Sequence, residues 1–519
     1  MIKIGKIRKI VSEKDDQKLL LISTLRIDDE DFDLIVSLHG KEYFKYIVDD
    51  RTDAFLFGVL PYAMRHGHDI ICEQPVTGNF LFNLETQYIP ALYEHDVELY
   101  RTKIKAETIE QPVGNCGACA TGLSCGVDCL YTVSENYNNH YAKDLALTHF
   151  LVFNEGAFGG SYYGANRSFT VKNLYKRSER LANELGLPII QLGTNLEALM
   201  RIPVDRFLVN AMGMIVLSIS KLIGVYHYSS SGADYGDFSI KNSSKGDTSY
   251  YDLLSLSCIS YGATHFYSAG GAQTRFRKLR ALSKSPMARK YLHSCLYYDF
   301  NCGQCVKCYR NLITFDALGT LDEFREVYNI DEYKKNRTKA LEYLVKEILF
   351  NGWNYKYLKD AYDIIKKREP ETISALESKL TIQKLLERNT FLETQNENRL
   401  KILRAYKTLA SASNIEKVKR HLREKNVKRV ILYSYSICTD LLVTYEKQLE
   451  ISILYIVEDC REQRRIPRLP MDTVTYPDCD AIIVCELTNP YIAIEKLKER
   501  TKLPIYYAGE FLDIRPTLF

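Results

Sequence analysis

Apolar and polar positions divide the chain into stretches of different period. Leu19–Ser23 and Phe32–Leu38 read as strands, and apolar residues recur at helical spacing from Asp53 to Met64 and from Leu81 to Leu92. Residues 1–105 are therefore expected to form an N-terminal α+β domain. From Ala118 a strand of small residues runs into a glycine-containing turn, a helix begins near Cys129, and an apolar strand follows at His149–Phe153. This is a β-loop-α-β unit, the building block of a parallel sheet. The alternation continues through a helix at Val171–Leu185, a strand at Leu187–Leu192 and an apolar helix from Phe207 to Leu222. Asp234–Tyr251 is rich in Ser, Gly, Asp and Asn, so it reads as a loop able to cover a site.

From Leu321 to Arg429 helical periodicity dominates with dense Lys, Glu and Arg, broken at Pro370 and at Ser411–Ser413. Residues 321–428 are expected to be a helical linker domain. Strand and helix then alternate again: Val430–Tyr433, Cys438–Gln448, Ile451–Val457, Ala481–Val484, a helix from Tyr491, and Pro504–Tyr507. Residues 429–519 thus read as a small Rossmann-like α/β domain, and 110–320 as the central domain. The expected class is α/β, built on a parallel sheet, and no internal repeat of fixed period is found.

Composition narrows the function classes. A length of 519 residues accommodates about three domains. Hydrophobic residues at 46% and charged residues at 26% exclude disorder as the main state. The formal charge of +4, from 69 basic and 65 acidic residues, gives no global pull toward nucleic acid or anionic membrane, so any polyanion site must be local. Basic residues interrupt the first ten positions, leaving no secretory apolar core, and a cytoplasmic chain is expected. The longest apolar stretch, Phe207–Tyr228, contains Asn210 and Lys221 and reads as a buried helix, with no membrane span. In a reducing compartment the 14 cysteines are metal ligands, redox groups or core residues before they are disulfides.

Cys295, Cys302, Cys305 and Cys308 follow the spacing Cys-x6-Cys-x2-Cys-x2-Cys, which closes four thiolates tetrahedrally around one Zn2+. With four protein ligands such a zinc is structural; an iron–sulfur cluster is the competing occupant. Gly303 permits the tight turn, and Lys307 and Arg310 offset the thiolate charge. Cys116 and Cys119 also form a Cys-x2-Cys pair, but they lie at a buried strand, where core filling outweighs a redox role. His66, His68, His95 and His293 show no metal spacing.

The turn at Ser124, Cys125, Gly126, Val127, Asp128 and Cys129 joins a buried strand to a helix, which aims amide groups and the helix dipole at a phosphate. It is neither a Walker A loop nor a dinucleotide Gly-x-Gly-x-x-Gly. It resembles the PP-loop, Ser-Gly-Gly-x-Asp-Ser, of the N-type ATP pyrophosphatase superfamily. Ser124, Gly126 and Asp128 match, while Cys125 replaces the first Gly and Cys129 the final Ser. The four-cysteine spacing also resembles the end of that domain in the 7-cyano-7-deazaguanine synthase branch, and together the two motifs cover Asn115–Gly319.

The resemblance implies an adenine-nucleotide-alpha-hydrolase-like sheet whose loop holds the pyrophosphate part of ATP with Mg2+. A carboxylate or amide oxygen of an acceptor attacks the α-phosphate, and a nitrogen or sulfur nucleophile then displaces AMP. Ser124 and Asp128 take the catalytic roles with Arg275 and Lys278, and Phe153 and Asn154 sit where the family places adenine. Arg275, Arg277, Lys278 and Arg280 form either a phosphate or carboxylate clamp or a solvated basic helix. The implied acceptor is a small molecule or macromolecule.

Two other readings stand beside this one. Cys125 and Cys129 suit a catalytically silent nucleotide-binding or partner-binding scaffold; a tRNA-modifying PP-loop enzyme is disfavoured by the near-neutral charge and the lack of a recognisable RNA-binding module. The last domain opens with Val430–Thr439, which has no glycine where a dinucleotide turn needs one, so Glu458 or Asp459 has no ribose to bind. A protein-partner role is expected for that domain. Asp128→Ala is expected to leave folding nearly intact and to weaken Mg-ATP handling.

Overall fold

The computed structural model describes residues 1–96, 98–138, 142–154, 167–231, 234–242, 247–295, 297–352, 354–434, 436–457, 468–469, 479–486 and 490–512. Glu458 and Asp459 lie outside them. Alternation between apolar and polar side chains builds the first hairpin, Asp15–Ile27 against Glu30–His39, paired antiparallel from Lys18 opposite His39 to Ile27 opposite Glu30. Leu19, Leu21 and Leu25 and the facing Leu34, Val36 and Leu38 are buried, while of their immediate neighbours along each strand only Ile22 is also buried and the rest face outward or are half-buried. The polar ends of both strands are paired as well, which is why the hairpin is longer than its apolar segments.

This hairpin belongs to one mixed sheet of eleven strands. Its central part is five parallel strands in the order His265–Ala269, Ile223–Ser229, Ala118–Gly122, His149–Phe153, Ile189–Thr194. Counted along the chain this is fifth, fourth, first, second, third. The winding direction reverses between the first and fourth strands, which leaves a crevice at their carboxyl ends. Beyond Ile189–Thr194 the strand Glu30–His39 adds antiparallel, with Gln191 opposite His39 and Thr194 opposite Val36, and Ile2–Ile4, Ile70–Cys72 and Ile104–Lys105 extend the edge.

Side chains of the central strands alternate between two cores. Ala118, Ala120 and Leu151 enter one and Cys119, Phe150 and Val152 the other, so both faces are covered. On the first face the helices Asp53–His66 and Leu208–Ser218 pack together, and a Cβ at Gly213 would stand 2.6 Å from the Phe57 ring. Leu208–Ser218 is the helix expected within the longest apolar stretch, and ten of its residues are buried. The second face carries the helices Val127–Asn136, Arg275–Leu282 and Val306–Leu318, with Arg337–Leu349 and Tyr355–Arg368 beyond them. Among the described residues no helix is long and apolar enough to cross a membrane.

The chain divides into two compact units, Met1–Thr381 and Ile382–Phe519, where the sequence pattern suggests four stretches. Residues 1–105 share a sheet and a core with the central strands, so they form no separate layer. Residues 321–381 likewise bury Leu341, Leu344, Leu358 and Ile365 in the second core, so they do not act as a linker. Pro370 starts the helix Pro370–Leu409, at the position where a missing N–H is harmless. Within the second unit a five-stranded parallel sheet runs in the order Arg468–Leu469, Ser452–Val457, Arg429–Tyr433, Ala481–Val484, Ile505–Tyr507. Its first turn uses Ser434 at φ +69° and a Ser436–Thr439 capping box in place of glycine.

Candidate functional site

The strand Ala118–Gly122 ends at the reversal point of the sheet, and the turn after it is pinned from three sides. The Leu123 amide donates to the Leu151 carbonyl (2.8 Å), the Ser178 hydroxyl donates to the Leu123 carbonyl (2.5 Å), and the His293 amide donates to the Cys125 carbonyl (2.9 Å). Cys125 adopts φ +58°, the left-handed region that favours glycine, at the position where the resembled motif has glycine. Its side chain is fully buried in the second core. Gly126 then caps the helix Val127–Asn136 in extended conformation, and its amide donates to Ser124 Oγ (3.3 Å). Cys129 is buried as well; burial pushes its thiol up to about 11, against loop amides of Cys125 and Ser124 that favour the thiolate.

Asp128, in the first turn of this helix, is the centre of a charge cluster. Its carboxylate bridges Arg275 Nη2 (2.8 Å) and Lys278 Nζ (2.9 Å), with all three side chains mostly shielded from solvent. Lys278 also donates to the Ser230 carbonyl (2.6 Å) and Arg275 to the Ser231 carbonyl (3.2 Å), both just past the fourth strand. Both cations come from the helix Arg275–Leu282, capped by the Thr274 side chain, which follows the fifth strand through Gly270 at φ +75°. A Cβ at Gly270 would stand 3.1 Å from Lys278 Cε and from the Tyr131 ring. The two expectations for this basic run divide by residue: Arg275 and Lys278 point into the cluster, and Arg277 and Arg280 are exposed.

Nearby, Asp252 starts the helix Asp252–Ile259 with both carboxylate oxygens buried, and burial pushes it up to about 8. Phe153 closes the second strand beside Gly122. The Asn154 side-chain amide makes two bonds to the Thr194 backbone, each 2.8 Å, so it braces the ends of neighbouring strands.

The four-cysteine segment lies under this cluster. The sulfurs of Cys295, Cys302, Cys305 and Cys308 all lie within 4.8 Å of one another, with Cys302 and Cys308 at 4.0 Å. Tetrahedral Zn–S bonds of ~2.3 Å place sulfurs ~3.8 Å apart, so the four thiols fit a structural zinc with little movement. Gly303 turns at φ +73°, and the Cys305 amide donates to Cys302 Sγ (3.3 Å). Cys305 caps the helix Val306–Leu318, which carries Cys308 into the second core. Buried Asn301 holds the segment together: its carbonyl accepts from the Ser294 and Cys295 amides, and its NH2 donates to the Leu292 and Val327 carbonyls. Of the other cysteine pair, Cys119 is core and Cys116 is exposed.

No protein-family model, curated protein or solved structure matches the chain. Chemistry must be read from the geometry.

Lys307 and Arg310, expected to offset thiolate charge, also belong to the Asp128 neighbourhood. Their helix packs against Arg275–Leu282 and Tyr355–Arg368, and the Arg310 guanidinium lies 4.7 Å from the Tyr357 ring centroid, with Arg275 at 5.9 Å from the same ring. Burial, with Arg310 and Arg275 beside it, pulls the Lys307 ammonium down to about 8. A helix N-terminus, an acid and several cations around one crevice can hold phosphate and a divalent ion and stabilise negative charge that develops there. Asn301, Asp252 and Tyr357 carry no sequence signal of their own.

Proposed function

We propose that the first unit is an ATP-dependent adenylating enzyme of the PP-loop type, forming AMP and pyrophosphate as it activates a carboxylate or amide oxygen. The observation that carries this reading is Asp128 at a helix N-terminus, at the reversal point of the sheet, gripped by Arg275 and Lys278. In this reading the loop amides of residues 124–128 bind the ATP phosphates, and Asp128 holds Mg2+, which supplies charge neutralisation. Arg275 and Lys278 transfer part of their contact from Asp128 to the departing pyrophosphate. The acceptor oxygen forms a bond to the α-phosphorus as the α–β bridging bond breaks, and the electron pair leaves on pyrophosphate. A nitrogen or sulfur nucleophile then expels AMP.

The silent-scaffold alternative draws on one feature, the engagement of Asp128 by two cations, which a permanent structural ion cluster would share. Cys125 and Cys129, where the loop departs from the resembled motif, both bury their side chains in the core. The experiment that separates the two is product analysis of α-phosphate-labelled ATP incubated with the protein, Mg2+, a carboxylate-rich metabolite extract and ammonium. AMP and pyrophosphate that disappear in Asp128→Asn support adenylation. ATP binding without products supports the scaffold, and ADP formation refutes the loop assignment.

A further inference from the structure

Two cations beside the loop have no carboxylate bound to them. Lys307 and Arg310 make no ion pair among the described residues, and neither side chain donates a hydrogen bond there. The carboxylate that acts on both of them, Asp128, already holds Arg275 and Lys278. Lys356 also lies over the Tyr357 ring, at 5.2 Å, but it is paired with Asp237 at 2.8 Å. Arg275, Lys278, Lys307 and Arg310 therefore bring four positive charges against the one carboxylate of Asp128, and the two net negative charges that a zinc-filled four-thiolate site would carry still leave an excess of one. Asp252, held protonated near neutral pH by burial, does not reduce it. Half-buried cations without a hydrogen-bonded anion are costly to maintain, and sites that keep them are suited to an incoming anion.

The four cations are not equivalent. Arg275 and Lys278 are tied to Asp128 and to the Ser230 and Ser231 carbonyls at the mouth of the loop. Lys307 and Arg310 come from a different helix, whose first turn carries Lys307 between Cys305 and Cys308 and so starts at the knuckle. Arg310 lies against the Tyr357 ring, which supports the guanidinium and leaves its N–H groups for a planar oxyanion. We propose that Lys307 and Arg310, backed by Tyr357, bind an oxyanion group, carboxylate or phosphate, of the acceptor substrate, in a subsite distinct from the loop that takes the ATP phosphates. This assignment rests on the adenylation reading for the word acceptor, while the anion subsite itself can be tested without turnover.

The test is isothermal titration of the full-length, zinc-loaded protein with inorganic phosphate, in the presence of Mg2+ and saturating α,β-methylene-ATP. One phosphate should bind per chain with nucleotide already in place. Arg310→Gln and Lys307→Gln should each weaken it by about tenfold to a hundredfold, the loss expected for one charge-assisted contact. Both variants should keep wild-type nucleotide affinity, zinc content and melting temperature, and Arg310→Lys should recover part of the loss. Competition between phosphate and nucleotide, or variants that lose both affinities together, would overturn the proposal by assigning these cations to ATP. Phosphate binding with the expected variant pattern but no AMP from labelled ATP would uphold the subsite and refute adenylation alone.

Discussion

Replacing Asp128 with Asn tests whether the charge cluster is held together by that one carboxylate. The substitution keeps shape and removes the charge that faces Arg275 at 2.8 Å and Lys278 at 2.9 Å, where the side-chain exposures are 14%, 15% and 4% for the acid, the arginine and the lysine. Breaking a buried pair by removing one partner costs about 3–5 kcal/mol, because the remaining charge stays desolvated. The Ser230 and Ser231 carbonyls still accept from the two cations, so the low end, about 3 kcal/mol, is expected. This replaces the expectation from sequence alone that losing Asp128 leaves folding nearly intact. Urea unfolding of the full chain, followed by circular dichroism, reads the loss, and hydrogen exchange should place it in peptides spanning 118–136. A double-mutant cycle with Lys278→Met should give a coupling of about 1–3 kcal/mol, the double variant being less destabilised than the sum. Destabilisation below about 0.5 kcal/mol, or strict additivity, would refute the role of Asp128 as the counter-charge.

Two further predictions follow from the neighbouring groups. Cys305→Ser should lose one zinc per chain and lower the melting temperature sharply, since structural zinc binding contributes directly to folding; metal analysis by plasma emission alongside a thermal melt checks this, and retention of zinc would refute it. Asp252, raised from 3.8 to about 8 in the folded state, favours folding through its protonated form. Its contribution is fully present below about pH 4, shrinks as pH rises, and is gone above about pH 8, with a slope of about 1.4 kcal/mol per pH unit between. Asp252→Asn should remove that slope from urea denaturation measured at pH 5, 6, 7 and 8, and an unchanged slope would show that another group is responsible.

The sequence by itself determined what depends on neighbours along the chain. The strand-to-helix turn at Ser124–Cys129 and the knuckle at Cys295–Cys308 are each written within fifteen residues, because a tight strand-to-helix turn and a four-cysteine cluster are closed by local backbone. The first three parallel strands were legible for the same reason, as short apolar runs bounded by turns. The fourth, Ile223–Ser229, was not: only Ser220 and Lys221 interrupt the run between it and the buried helix Leu208–Ser218, and periodicity cannot separate two elements that are buried nearly all round. Only the tertiary structure decided that this strand lies beside Ala118–Gly122, which puts the Ser230 and Ser231 carbonyls under Lys278 and Arg275. It likewise joined Glu30–His39 to Ile189–Thr194, making one sheet of what looked like two domains, since pairing partners some 150 positions apart leave no trace in local pattern. The charge cluster is the extreme case. Asp128, Asp252, Arg275, Lys278, Lys307, Arg310 and Tyr357 come from five helices, and their electrostatics exist only where packing removes water from between them.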